Sequence, residues 1–386
     1  MGLRDADLGL PTERPPPAAI APAAAGRSLW GDAWLRLRSN RAAMASALIL
    51  SLITLACLIG PWLSPHAYDQ VYRDYVKVPA SLAAYPEPEA VEPALEKALR
   101  RARADIESWE VADGRLSVTL TSKREIDARI TRYLDRADLF TAAEVVERSD
   151  DGKRIVLAAE IDQKRFLFGT DANGRDLLTR TLIAGRISLM IGLLATFVAL
   201  TIGVTYGSVA GYFGGRVDSV MMRFVDILYS LPFMFFVILL VVFFGRNIVL
   251  MFIAVGAIEW LDMARIVRGQ TLSIKRQEYV EAAHAMGVDS GGVLRRHIVP
   301  NTLGPVVVFM TLMVPKVILL ESFLSFLGLG VQEPMTSWGV LIAEGARNIQ
   351  GAAWMLIYPS IFLAATLFCL NFIGDGLRDA LDPKDR

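Results

Sequence analysis

The chain has 386 residues, 53% of them apolar, a formal net charge of zero and a mean hydropathy of +0.40. The balanced charge argues against a nucleic-acid partner, which calls for a basic surface. The apolar residues gather into runs of about 20, long enough to cross ~30 Å of hydrocarbon at 1.5 Å per residue, so the expected fold is an all-α polytopic membrane protein.

Residues 1–26 carry too many prolines, as in "PTERPPPAAIAPAAA", for a signal-peptide helix, and read as a disordered cytoplasmic tail. In residues 27–41, Leu29, Trp30, Ala33, Trp34 and Leu37 share one helical face while Arg36, Arg38 and Arg41 carry charge. That pattern predicts an interfacial helix, with a plain juxtamembrane linker as the alternative. Six spans are then expected, at 42–63, 187–213, 225–244, 248–267, 302–320 and 355–374, the fourth weakened by Glu259 and Asp262. Cys57 and Cys369 both fall inside apolar runs and fit neither a disulfide framework nor a metal pair; the three histidines are too scattered for a metal site.

Six spans put both termini on one side, and the basic residues choose it. Arg36, Arg38 and Arg41 precede the first span, Arg216 and Arg223 follow the second, and Arg265, Arg268, Lys275, Arg276, Arg295 and Arg296 lie between the fourth and fifth. The opposite short loops hold only Arg246 and Arg347, so the termini are expected in the cytoplasm.

Between the first two spans, "VEPALEKALRRARADIE" reads as a helix, "RLSVTLTS" as a strand, "REIDARITRYLDRADLF" as a helix, and "AAEVVERSDDGKRIVLAAEID" as two strands about an Asp-Asp-Gly turn. Residues 67–164 therefore hold a small exterior α+β insert, its core from about Tyr68 to Asp162, acting as a spacer or docking surface.

The chemistry of an enzyme is missing. "GTDANGRD", Gly169 to Asp176, has glycines at phosphate-loop spacing, but Arg175 stands where lysine is needed and Asp176 replaces the magnesium-binding hydroxyl. There is no HExxH, CxxC or GxSxG, and no catalytic residue, metal ligand or cofactor site is assigned. Of the ionisable residues near lipid, Asp262 is expected to pair with Arg265 and Asp226 with Arg223, each at the i,i+3 helical spacing. Lys316 either snorkels outward or faces a polar channel.

The segment "EYVEAAHAMGVDSGGVLRRHIVPN", residues 278–301, is a polar knob between apolar runs. Gly287 suits a left-handed residue ending a first short helix, "SGGVLRRHIV" permits a second, and Pro300 ends the element and opens the fifth span. Ala282, Ala283 and Ala285 leave the first helix thin enough for a partner's groove, with Glu281, Arg295 and Arg296 at its edges. The alternative is an amphipathic helix lying on lipid.

"EAAHAMG", followed by Pro300, resembles the EAA signature of ABC importer permeases, with His297 where the pattern has isoleucine and Val299 where it has leucine. "FGTDANGRDLLTR", "GYFGGRVDSVMMR", "WLDMARIVRGQTLS", "ESFLSFLGLGVQEP" and "NFIGDGLRDALDPKDR" extend the likeness to the C-type permeases of oligopeptide importers, in the peptide/nickel branch. The match covers residues 27–66 and 165–386. The resemblance implies a non-catalytic subunit of the bacterial inner membrane, working with a second homologous permease, two cytoplasmic ATP-binding subunits and a periplasmic peptide-binding protein. It implies a coupling helix at 275–297 whose ATPase contacts are Glu278, Glu281, Ala282, Ala283, Gly287, Arg295, Arg296 and His297. Pro300 and Asn301 would close the loop structurally. An external gate segment would lie at 321–350, with Glu321, Gly328 and Gly330. Dipeptide, nickel and peptide-antibiotic importers are alternative settings for the same role; a membrane sensor with a periplasmic ligand module is a remote one.

Overall fold

The computed structural model describes residues 29–381 except 101, 103, 113, 246 and 247. The expected tail at 1–26, the first two residues of the interfacial segment, Arg246 and residues 382–386 lie outside the described residues. The rest is mostly helical, with one small sheet.

Helix α1 spans Leu29–Ser39 and α2 Arg41–Leu63, with Asn40 capping α2 by accepting the Ala43 N–H at 3.1 Å. Helix α5, Leu177–Phe213, begins ten residues before the expected span. Charge does not end it, because each arginine finds partners inside the protein. Arg180 is buried in ion pairs, and Arg186 donates to the carbonyls of Cys57 and Leu58, both at 2.6 Å. These are carbonyls near the end of α2, one turn from its kink-prone Pro61.

The third expected span is broken. Helix α6, Gly215–Ser230, stops at Leu231, whose extended backbone (ψ 130°) is the conformation forced on a residue preceding proline. Helix α7, Phe233–Phe244, resumes after Pro232, and the two are bent by 79°. Helix α8, Ile248–Ile274, returns as one 27-residue rod. Among the described residues four helices are long and apolar enough to cross a membrane: Arg41–Leu63, Leu177–Phe213, Ser290–Phe326 and Trp354–Leu381. The bent pair makes a fifth if it counts as one span.

Helices α5 and α8 pack closely through three glycines. A Cβ on Gly203, Gly207 or Gly211 would lie 2.5 Å from Met263 Cβ, 2.4 Å from the Ala264 carbonyl oxygen and 2.8 Å from Thr271 Cβ, respectively. Glycines every fourth residue fall on one helical face and let two backbones approach within a membrane.

The insert is an antiparallel sheet of β1 (Asp105–Ala112), β2 (Arg115–Thr121), β3 (Phe140–Arg148) and β4 (Arg154–Ile161), in the order β1-β2-β4-β3. Helix α3 (Pro88–Leu99) and the single-turn α4 (Thr131–Asp135) cover one face, burying Leu95, Leu99 and Leu134 against Leu116, Val118, Leu120, Ile155 and Leu157. Two expected helices are shortened. The first stops at Leu99, because Asp105–Ala112 pairs with β2 as an edge strand. The second reduces to a 3-10 turn at Ala128–Ile130 and α4.

Candidate functional site

The knob is built on the end of α5. Helix α9, Glu278–Ala285, turns Val280 and Ala283 inward against Tyr212, Val293 and Ile298. These two residues are three apart, the spacing of one helical face, and the remaining residues of the helix are exposed. Its end is a Schellman motif. Gly287 takes φ +81°, its N–H donates to the His284 carbonyl at 2.9 Å, and the Val288 N–H reaches the Ala283 carbonyl at 3.1 Å. Asp289 then caps α10, Ser290–Val293. A π-turn over Leu294–Ile298 leads without interruption into α11, Val299–Phe326.

Pro300 stands in the first turn of α11, as expected, but the chain is already helical when it reaches that turn. The widened turn, in which the Val299 N–H bonds the Leu294 carbonyl five residues back, carries the chain past the proline, whose ring cannot donate. Ser290–Phe326 is one rod of 37 residues, about 55 Å long.

Glu278, Glu281, Ala282, Gly287, Arg295 and Arg296 are exposed on the knob, and His297 is half-buried. Ala283 is not: at 1% exposure it packs the helix down and is unavailable to a partner. Asn301 is exposed and donates to the His297 carbonyl at 2.5 Å. Two residues not singled out from the sequence, Tyr212 and His284, fasten the knob together with Lys275. Tyr212 Oη and His284 Nε2 share a hydrogen bond at 3.1 Å with their rings stacked 5.9 Å apart, and Lys275 Nζ donates to the Tyr212 carbonyl at 2.8 Å. Tyr212 is 72 residues from His284, so no local signal announces it.

The expected gate residues lie at the opposite end of α11 and just beyond it. Glu321 is fully buried, accepting from Ser325 Oγ and Ser337 Oγ, both at 2.6 Å, and from Ser188 Oγ at 3.4 Å. Gly328, at φ +77°, closes α11 with a second Schellman motif, in which the Leu329 N–H donates to the Leu324 carbonyl at 2.8 Å. Gly330 passes so close to Ser325 that a Cβ there would lie 1.9 Å from its Oγ. The segment also contains an amphipathic helix, α12, Trp338–Arg347, capped by Ser337.

The "GTDANGRD" loop is the anchor of this end. Asp171 accepts from the backbone N–H groups of Asn173 and Arg175 at 2.8 and 2.9 Å, from Arg175 Nε at 2.7 Å, and from Arg180. Arg175 also reaches Glu333 at 2.9 Å, and Arg180 lies 3.6 Å from Glu344 of α12. Burial pushes the Glu344 carboxyl above its usual range, with Arg180 pulling the other way. Burial likewise raises Asp176, against the two hydrogen bonds it accepts from Thr179 as the cap of α5. The glycines serve close approach: a Cβ on Gly169 would lie 2.5 Å from the Val78 carbonyl oxygen, and one on Gly174 2.0 Å from that of Tyr72. They clamp the chain leading into the insert, not a phosphate.

The charges of α8 pair across helices rather than along them. Arg268 bonds Asp218 and Arg265 bonds Asp226 at 2.8 Å, both on α6. Lys316 of α11 lies 2.9 Å from both Glu259 and Asp262. The expected local pairs of Asp262 with Arg265 and of Asp226 with Arg223 do not form.

Residues 203–386 match the family model of the binding-protein-dependent transport system inner membrane component, and residues 28–83 match the N-terminal TM domain of oligopeptide transport permease C. Residues 84–202, with most of the insert, fall in neither match. The chain is 47% identical to the oligopeptide transport system permease protein OppC of Escherichia coli strain K12, over 94% of this chain and 93% of that one. It is 45% identical to the protein of the same name from Haemophilus influenzae, over 94% and 90%. To the dipeptide transport system permease protein DppC of Bacillus subtilis it is 37% identical, over 92% and 86%.

Proposed function

The chain belongs to the permease family of binding-protein-dependent ABC importers, and from that premise we propose that it carries oligopeptides across the bacterial inner membrane as half of a two-permease passage. It is a membrane subunit without bond-making chemistry; ATP hydrolysis belongs to partner ATPases. Two cytoplasmic ATP-binding subunits, a second homologous permease and a periplasmic peptide-binding protein complete the importer. Six spans cross the membrane, the third being the bent α6–α7 pair, with both termini in the cytoplasm.

The observation that carries this reading is the knob. Its outward side chains, Glu278, Glu281, Ala282, Arg295 and Arg296, stand on a base tied to α5 and continuous with α11. A motor subunit gripping residues 275–297 would move two membrane helices at once. Oligopeptides are preferred over dipeptides because the relatives named for oligopeptides are 47% and 45% identical, against 37% for the dipeptide relative.

The test is co-expression with the partner subunits, reconstitution into vesicles and uptake of labelled peptides of two to six residues. ATP-dependent uptake of the longer peptides, together with a cross-link from Glu281→Cys to an ATP-binding subunit, is expected. Uptake confined to dipeptides would change the substrate, and labelling of residue 281 from outside the cell would overturn the topology.

A further inference from the structure

Three ion-paired groups run along α8, and only one is unbalanced. Arg268 with Asp218 and Arg265 with Asp226 are each neutral. Lys316 with Glu259 and Asp262 carries one surplus carboxylate. Arg265 cannot neutralise it, being held by Asp226 and by the Tyr229 ring, 4.2 Å from its guanidinium carbon.

The depth of this triad matters. Glu259 stands 11 residues from the start of α8 at Ile248, about 17 Å along the helix. Lys316 stands 10 residues from the end of α11 at Phe326, about 15 Å along its own helix. The two levels agree, and all three residues fall within the expected spans 248–267 and 302–320. Glu259 is buried, yet the Lys316 side chain is 53% exposed and that of Asp262 34% exposed. Charge exposed at this depth faces water or a partner, because hydrocarbon does not solvate it. Phe309, Leu312, Leu319 and Phe323 share the outward face of α11 with Lys316 and offer it no counter-charge. Asp262 is bonded to Lys316 through Oδ2, and its Oδ1 makes no hydrogen bond among the described residues.

We propose that Asp262, backed by Glu259 and held in place by Lys316, lines the water-filled passage and accepts ammonium groups of the cargo as it crosses. The site rests on the peptide reading above and adds a selectivity to it: cationic peptides pass in preference to anionic ones of equal length. Lys316 serves two ends. It neutralises the buried Glu259, and it keeps the site from holding a cation so tightly that release fails.

Two arms test this on the assembled importer in vesicles. In the first, Lys316→Cys is treated with a membrane-impermeant cationic thiol reagent; the native Cys57 and Cys369 are buried. Labelling is expected, and no labelling in any nucleotide state would overturn the site whatever the cargo. In the second, uptake of Ala-Lys-Ala is compared with that of Ala-Glu-Ala, the same binding protein serving every variant so that its own preference cancels. Asp262→Asn is expected to lower the ratio about fivefold, the scale of one partly exposed ion pair. Lys316→Met, which leaves two uncompensated carboxylates, is expected to raise it. A merely structural triad would change both uptakes together and leave the ratio fixed, which overturns the proposal. Labelling of Lys316→Cys without uptake of either peptide by the parent importer would sink the peptide reading and the ammonium selectivity together.

Discussion

His284 of α9 lies flat against Tyr212 near the end of α5, the rings 13° from parallel and joined by a 3.1 Å hydrogen bond. The contact ties the outward-facing knob to a second membrane helix in addition to the one it continues into. Tyr212→Phe keeps the ring and removes the bond, so α9 should stay folded but sit less firmly. About a twofold fall in peptide carried per ATP hydrolysed is expected, on the scale of one neutral hydrogen bond. Simultaneous measurement of ATPase rate and uptake in vesicles checks it; an unchanged ratio would remove Tyr212 from the coupling path.

Gly287 sits at φ +81°, and a Cβ added there would meet nothing within 4 Å, so the cost of Gly287→Val is backbone strain alone. A β-branched residue there loses about 1–2 kcal/mol, enough to unwind the last turn of α9. Glu281→Lys changes only exposed charge. Both variants should insert normally and uncouple hydrolysis from uptake, whereas Gly287→Asn, which tolerates the left-handed region, should retain most coupling. Loss of the protein from the membrane in the valine variant, as read by immunoblot, would mean a folding role instead.

Asp171 and Arg180 are both buried, and each is the other's ion-pair partner. Removing one partner leaves the other with a single remaining counter-charge, Arg175 for Asp171 and Glu344 for Arg180, so the cost stays below the about 3–5 kcal/mol of a buried charge left with none. Asp171→Asn and Arg180→Met should each lower the thermal midpoint of the purified importer sharply, and the double variant should recover part of the loss. Equal, additive losses would show that the two charges do not depend on one another.

Glu344 is a carboxyl whose burial raises its pKa in the folded chain. A group that holds its proton more tightly when folded favours folding at low pH, and that contribution is lost as pH rises from the usual carboxylate range through the raised value. Glu344→Gln should therefore stabilise the importer more at pH 8 than at pH 5, read as the difference in thermal midpoint between variant and parent. A variant whose effect is the same at both pH values would argue that Glu344 is ionised throughout, held by Arg180.

The insert leaves and rejoins the membrane core at one place. Tyr85 and Lys164 exchange two backbone hydrogen bonds, 2.8 and 2.9 Å, as an antiparallel pair. Residues 87–162 can thus be replaced by a two-residue turn that keeps the Tyr85–Lys164 pair and the backbone bonds of Tyr72 and Val78 to Gly174 and Thr170, although it uncovers Tyr72, Tyr75 and Phe166, which the insert packs against. We expect such a variant to assemble and to keep uptake within about threefold of the parent, since a surface insertion closed at neighbouring ends adds little to chain entropy. Normal assembly with no uptake at all would make the sheet an essential docking surface.

Much of this was legible in the sequence because its causes are local. Runs of apolar residues mark where the membrane helices lie, and the glycine of "EAAHAMG" sets the end of α9; the break at Leu231–Pro232, by contrast, falls inside the expected span 225–244. The repeat Gly203, Gly207, Gly211 was equally readable as a close-packing face, since its spacing is that of a helix. What the tertiary structure alone decided is which charges meet. Lys316 and Asp262 are 54 residues apart, and Arg175 and Glu333 are 158. Helical spacing offered nearer partners for Asp262 and Asp226, but the packing of α8 against α6 and α11 brought cross-helix partners to 2.9 and 2.8 Å. The same long-range packing turned Ala283 inward, buried Glu321 among serines and drew residues 105–107, the end of an expected helix, into the edge strand β1. A sequence names the groups available for such contacts; only the folded chain chooses between partners of equal chemistry at different distances.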